Sequence, residues 1–506
     1  MDVGYGRDSQ DDTQDLAFLL PESVKDFVFD LHDAMRRAKR VDELEVLYGT
    51  TFKAVTDAYF KQTTWPEAEV IASQCSNDEL FLCFYRELRM RHMFSTQQCG
   101  MKEHMKAWEN YCRLFDALLD CRDTNFVITA QWAFDLVHEF VYQFQTFCQL
   151  RGTQRSGGDD ELDAWAVQNV ISYLHGLIRV SNVVPILEAK KQPKQKQAAP
   201  AAPSQLHQML GYFAIVGMSR LQCLLADYYE CLKVLDPIDI TDKNELFAGN
   251  MLCYASLYHH VGLSFLMLRR YRDAARVLCE ALVTIARASR SGQLLKSGYG
   301  DVVPKTADKM MALMAIATSL APGLRMDEPT LQNMRDKHRD KLQKMSQGEE
   351  GAFRDLFVWA ASKFISATAA AGPGSGRDVA ELQLQLLMDE VRQQLAFPQV
   401  RSYLKLYTTI GLDKMARFNG MTDEAFGAQL VSMKSKLTQV EWGYAADTPL
   451  LEGKPELALE FNFFVEDGTV VIDDTAKVEQ QGHEKHFMGQ IAKCDDIINQ
   501  IAAVRL

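Results

Sequence analysis

The sequence predicts a mainly α-helical protein: a TPR-like helical-repeat solenoid, then a winged helix, then a C-terminal helix. Three observations carry this. Apolar residues recur at helical spacing from about residue 21, and strand patterns are nearly absent before residue 440. The stretch 258–281, "YHHVGLSFLMLRRYRDAARVLCEA", has the cadence of two antiparallel helices around a tight turn. Residues 400–475 read as three helices followed by a hairpin.

The elements follow in chain order. Residues 1–20 form an acidic tail whose only apolar patch is "LAFLL", and 21–187 form an N-terminal helical region. Within it, Trp132, Leu136, Phe140, Phe144 and Cys148 step by four, and Val137 and Val141 widen the stripe, so this helix is buried on most of its girth. Residues 188–204, "EAKKQPKQKQAAPAAPS", are a low-complexity linker that cannot pack a core. TPR-like repeats occupy 205–371, a glycine-rich linker 372–378, and a connecting helix 379–399.

The repeat reading rests on named positions. Tyr258, Val261, Gly262 and Phe265 fall on the first-helix signature, and Tyr271, Ala274, Leu278 and Ala281 on the turn and second helix. Gly262 and Ala274 lack bulk, so the backbones can approach, while Phe265 and Leu278 fill the space beside them. These four form a structural brace. "DYYECLKVL" (227–235) echoes "RYRDAARVL" (270–278) at more than one regular repeat length, which predicts a degenerate solenoid.

The winged helix is placed at 400–478. Asn419-Gly420 is a turn, Thr422 caps the next helix, and Asp423 and Glu424 complement its dipole. Leu457, Leu459, Phe461, Phe463 and Val465 alternate as one strand, Asp467-Gly468 is a two-residue hairpin turn, and Val470 and Ile472 continue the return strand. That return strand is expected at a sheet edge, where it can pair with another chain; Phe461, Phe463, Val470 and Ile472 are the candidate interaction residues of the winged helix. In the closing helix, 479–506, Phe487, Ile491, Cys494, Ile498 and Ile501 step by four and three, a seam for a partner helix.

Composition and motifs limit the function. The 506 residues carry a net charge of −12, which opposes broad attraction to nucleic acid or anionic membrane. No apolar run approaches the roughly 20 residues that span a bilayer, and the acidic start is unlike a signal peptide, so a cytoplasmic location is expected. The 11 cysteines include no C-x-x-C pair and read as reduced core residues rather than metal ligands. Phosphate-loop and nucleophile-elbow motifs are absent. His483 and His486 are three apart, not the four of a metalloprotease helix, with no third ligand nearby. His259 and His260 point about 100° apart on a helix, so one should pack and the other face solvent. No catalytic residue, cofactor or metal is expected.

A winged helix can also bind nucleic acid. Against that stand the acidic start of its third helix and Glu466, Asp467, Asp473 and Asp474 on the wing. Arg86, Arg89 and Arg91, and Arg269, Arg270 and Arg272, read as solvated faces. Lys190, Lys191, Lys194 and Lys196 could touch RNA phosphates weakly, although a solvated loop is the plainer reading.

A solenoid followed by a winged helix is the plan of PCI-domain subunits. "TTWPEAEVIA" (63–72), "EFVYQFQTF" (139–147), "MLGYFAIVGMSRL" (209–221), "YHHVGLSFLMLRRYRDAARVL" (258–278) and "RSYLKLYTTIGLDKMARF" (401–418) resemble, in order, the L-subunit family of eukaryotic translation initiation factor 3. The resemblance implies a non-catalytic scaffold that assembles through its winged helix and C-terminal helix. It implies neighbouring subunits such as K and E within the PCI/MPN core, and binding of the 40S ribosomal subunit with mRNA recruitment. A PCI subunit of the proteasome lid or COP9 signalosome is the competing reading.

Overall fold

The computed structural model describes residues 20–37, 41–120, 126–151, 164–191, 204–292, 300–321, 326–366, 375–444, 448–459, 461–473 and, near the C-terminus, 487, 488, 490, 491, 494 and 497. Helices dominate and stack in chain order. Helix Ala130–Arg151 packs on Gln205–Leu224, which also contacts Val167–Val180. Met251–Met267 packs on Tyr271–Arg290, that on Val302–Leu320, that on Glu350–Ala360, and that on Ser375–Gln394. One apolar core runs through this stack from Val24 to Leu450. Trp132, Leu136, Phe140 and Phe144 lie fully inside it, and Cys148 packs at its margin.

The brace residues meet as their spacing requires. Helices Met251–Met267 and Tyr271–Arg290 are joined by a three-residue turn in which Arg269 takes φ +63°. Gly262, Phe265, Ala274 and Leu278 are all buried. A Cβ at Gly262 would lie 2.6 Å from Leu278 Cγ, so any other residue there would force the Leu278 side chain to move. Asn250 starts the first helix by accepting from the N–H groups of Leu252 (2.9 Å) and Cys253 (3.2 Å).

The C-terminal third has its own core, built from helices Phe397–Leu404, Leu412–Phe418 and Asp423–Leu437 and a small sheet. Among the described residues there are five short strands: β1 Thr409–Gly411, β2 Thr438–Glu441, β3 Lys454–Leu457, β4 Asn462–Glu466 and β5 Thr469–Asp473. β1, β5 and β4 form an antiparallel sheet in that order, and β2 pairs with β3. Helix, strand, helix, helix and hairpin is the element order of a winged helix. Asp467 and Gly468 both have positive φ, +46° and +71°, as a type I′ turn demands. Thr422 caps its helix through Ala425 N–H.

Several expectations are corrected. The single strand over 457–465 is two strands in different sheets, because β3 pairs back to β2 while β4 pairs with β5. The return strand β5 is central rather than at an edge; the edges are β1 and β4. Both short strands β1 and β2 lie in regions without an alternating pattern. Helix Val183–Lys191 runs into the expected linker at 188, and helix Ser375–Gln394 begins inside the expected glycine-rich linker.

Candidate interaction surfaces

Between β2 and β3 the chain leaves the winged helix and docks on the solenoid. Trp442 and Leu450 are buried in the solenoid core, and Tyr444 and Leu451 pack against it. The receiving surface is the start of helix Tyr271–Arg290. Arg270 and Asp273 form a buried ion pair, Nη2 to Oδ2 2.7 Å, with side chains 8% and 0% exposed. The Trp442 N–H donates to both Asp273 carboxylate oxygens, at 3.1 and 3.2 Å. Arg270 Nη1 donates to the carbonyls of Leu450 (2.7 Å) and Leu451 (3.0 Å). Arg272 and Arg276 both pair with Glu441, and Lys436 reaches Glu390 at 2.7 Å. Gly453 lets the arm fold back, since a Cβ there would stand 2.7 Å from the Glu441 carbonyl carbon. Desolvation outweighs the Arg270 charge and raises the Asp273 carboxyl above the usual aspartate range. The pair therefore serves to fix the arm's position more than to add net stability.

This corrects the solvated-face reading for every one of these arginines except Arg269. Arg270 is buried, and Arg272 is tied to Glu441. In the N-terminal group, Arg86 pairs with Glu69 (3.1 Å), Arg89 with Glu67 (2.6 Å), and Arg91 with the buried Glu87 (2.6 Å). Arg269, 63% exposed, stays at the surface with Glu390 3.9 Å away, so a carboxylate stands beside every member of both groups. The histidine expectation also fails in part. His259 and His260 are both buried; His259 Nε2–H donates to Ala360 O (2.9 Å) and His260 Nδ1–H to Ser256 O (2.6 Å). Burial pushes His259 down to about 4, and burial plus neighbouring cations hold His260 and His138 well below the ordinary imidazole range. These are neutral core histidines; His259 links its helix to Glu350–Ala360, while His260 bonds back within its own helix.

The winged-helix candidates divide by position. Phe461, Phe463 and Val470 are buried in the winged-helix core and Ile472 packs against it. Phe461, Phe463 and Val470 hold the sheet onto its helices, while Ile472 stays partly exposed. On the edge strand β4 it is Phe464 and Val465, each 45% exposed, that face outward. Strand alternation would have found Phe464 had the edge been known, because it stands opposite Phe463. Glu466, Asp467 and Asp473 are exposed on the wing; Asp474 lies outside the described residues.

Toward the C-terminus, residues 487, 488, 490, 491, 494 and 497 are helical and exposed. Phe487, Ile491 and Cys494 are therefore exposed, together with Met488 and Ile497. Ile498 and Ile501 lie outside the described residues. Lys190 pairs with Glu245 at 2.5 Å, and Lys191 donates to Asp236 O at 2.6 Å, so both are used in tying their helix to the solenoid. Lys194 and Lys196 lie outside the described residues, as do His483 and His486.

Similarity to known proteins spans all of these surfaces. A family profile described as RNA polymerase I-associated factor PAF67 matches residues 103–494. Eukaryotic translation initiation factor 3 subunit L of Nematostella vectensis is 32% identical over 515 residues, covering 99% of this chain and 96% of that protein. The chain belongs to the eukaryotic translation initiation factor 3 subunit L family. The subunit L proteins of Gallus gallus and Homo sapiens are each 31% identical over 538 residues, covering 97% of this chain and 94% of theirs. In this subunit L family member the profile takes in the docking arm, strand β4 and Cys494. Among the described residues no group of three or more His, Cys, Asp or Glu side chains could hold a metal ion, and no single helix is long and apolar enough to cross a membrane.

Proposed function

We propose that the chain is a non-catalytic scaffold subunit of eukaryotic translation initiation factor 3, acting in the cytoplasm. The observation that carries this is the full-length similarity to subunit L proteins, joined to the contact surfaces described above. The stacked helices supply a rigid support, and the arm at 442–453 fixes the winged helix on its end. Beside the outer strand β4, where Phe463 C=O already accepts from Lys434 Nζ (2.6 Å) and its N–H donates to Asn462 Oδ1 (2.9 Å), the exposed Phe464 and Val465 suit side-chain contact with another PCI-type subunit. The exposed apolar residues of the C-terminal helix suit a helical bundle with subunits such as K and E. Support of 40S binding and mRNA recruitment would follow from membership in the factor, not from a basic surface of this chain.

The test is a tagged purification followed by mass spectrometry, with sedimentation against 40S particles. Recovery of the other initiation factor 3 subunits and co-migration with 40S are expected. Recovery of proteasome-lid or signalosome subunits instead would overturn the assignment. A salt-sensitive duplex complex of the intact chain, with no protein partners, would favour a nucleic-acid role.

A further inference from the structure

Three lysines of the solenoid stand together without a counter-ion. Lys305 and Lys309 are one turn apart on helix Val302–Leu320, so both lie on one face. Lys363 follows helix Glu350–Ala360, which packs on Val302–Leu320, and its carbonyl accepts from Gln145 Nε2 at 2.9 Å. Burial, and then the nearby Lys363 charge, hold the Lys309 ammonium below the usual lysine range. Among the described residues none of the three ammonium groups has a hydrogen-bond or ion-pair partner. The adjoining carboxylates are taken: Asp308 pairs with Lys337 and Asp355 with Lys341. On a chain of net charge −12 this is a local reversal of sign, one that steers acidic groups toward it. Exposed apolar side chains adjoin the lysines along the chain. Val358 and Trp359, in the last turn of Glu350–Ala360, are 64% and 48% exposed. Tyr142, one turn before Gln145 and on the same side of its helix, is 48% exposed.

We propose that Lys305, Lys309 and Lys363 form a docking surface for a short acidic segment of a partner protein that also carries aromatic or aliphatic side chains. Carboxylates of the segment would lie on Lys309 and Lys363, and a third would reach Lys305. Its apolar side chains would cover Val358, Trp359 and Tyr142. Pairing would relieve the repulsion between Lys309 and Lys363, which adds to the gain on binding. A small anion alone would leave the exposed apolar side chains uncovered. A nucleic-acid strand needs a longer cationic track. Beyond the three lysines the surface returns to balanced pairs, Asp308 with Lys337 and Asp355 with Lys341. A peptide with few carboxylates and apolar anchors matches both features. The proposal rests on the scaffold reading only in taking the ligand to be protein.

The experiment uses the assembly purified on the tagged full-length chain. A carbodiimide joins a lysine amine directly to a carboxylate as an amide, taking up the water released, and mass spectrometry of the digest reads which residues are joined. Links from Lys309 or Lys363 to Asp or Glu of another chain are expected, in a segment that also holds aromatic or aliphatic residues. Acetylation of the three lysines by N-hydroxysuccinimide acetate should fall severalfold from the free chain to the assembly, with or without ribonuclease. The linked segment, made as a fluorescein-labelled peptide, should bind the free chain by anisotropy, weaken with salt, and lose about tenfold in affinity to Lys363→Glu. That position is exposed, so the melting temperature should not change; Lys309→Gln is the second variant, and Lys61→Glu, outside this surface, should bind as the wild type does. Absence of such links, equal acetylation in the free chain and the assembly, or protection lost on ribonuclease treatment would each overturn the proposal. If the assembly recovered is not initiation factor 3, the same links are read within it, so the docking surface and the functional assignment fail separately.

Discussion

Asp273 accepts from Trp442 across 169 residues of chain, with N–O distances of 3.1 and 3.2 Å, while Arg270 neutralises the same carboxylate at 2.7 Å. One buried carboxylate thus joins the solenoid to the segment that leaves the winged helix. Asp273→Asn should leave the Arg270 charge buried without its partner, costing about 3–5 kcal/mol in urea unfolding. Hydrogen exchange at 438–457 should rise before global unfolding. If exchange there stays at the wild-type rate, the pair does not hold the arm.

Gly262 faces Leu278 with no room for a side chain. Gly262→Ala should cost about 1–3 kcal/mol by overpacking, and Gly262→Leu no less. Leu278→Ala alone should cost about 2–5 kcal/mol. The double variant Gly262→Ala/Leu278→Ala should cost less than the sum, because the new methyl group occupies the vacated space. Additive losses by denaturant titration would argue against direct contact.

The buried histidines set an acid limit. His259 is held down to about 4 and His104 to about 4, chiefly by burial. A depressed folded value means that the unfolded state takes up the proton first. Stability should therefore be full above pH 6.5 and fall as pH drops toward 4, by about 1.4 kcal/mol for each unit of depression. His259→Gln, which retains a donor for Ala360 O, should flatten this decline. The check is the urea midpoint measured across that window; a profile unchanged by His259→Gln would count against the assignment.

Strand β4 separates a structural face from an outward one. Phe463→Ala should cost about 3–5 kcal/mol, since its side chain is in the winged-helix core. Phe464→Lys and Val465→Lys should change the stability of the isolated chain by no more than about 0.5 kcal/mol, yet reduce recovery of partner subunits in a tagged purification. Unchanged recovery would locate the contact elsewhere.

Much of this was readable locally. The period of 3.6 in 130–151, the small residues at 262 and 274, the Thr422 cap and the Asp467-Gly468 turn depend on neighbours a few residues away, and the structure places each as expected. The strand break near 458–461 was not readable. The apolar alternation runs through it, and only pairing partners reveal that two sheets share the run.

The helical solenoid, the brace at its centre and the helices and hairpin of the C-terminal unit were legible in the order of residues, because periodicity, capping and turn chemistry are short-range. Tertiary structure alone decided what the charged and polar residues do. Arg270 looks like a surface residue until the 450–452 carbonyls come to meet it, and His260 looks half-exposed until helices close around it. The edge strand was likewise a tertiary matter: β1, three residues without a pattern, covers one side of β5 and leaves β4 open. A charge or a strand edge is defined by what lies across from it, and that partner is set by the path of the chain, not by the residues adjoining it.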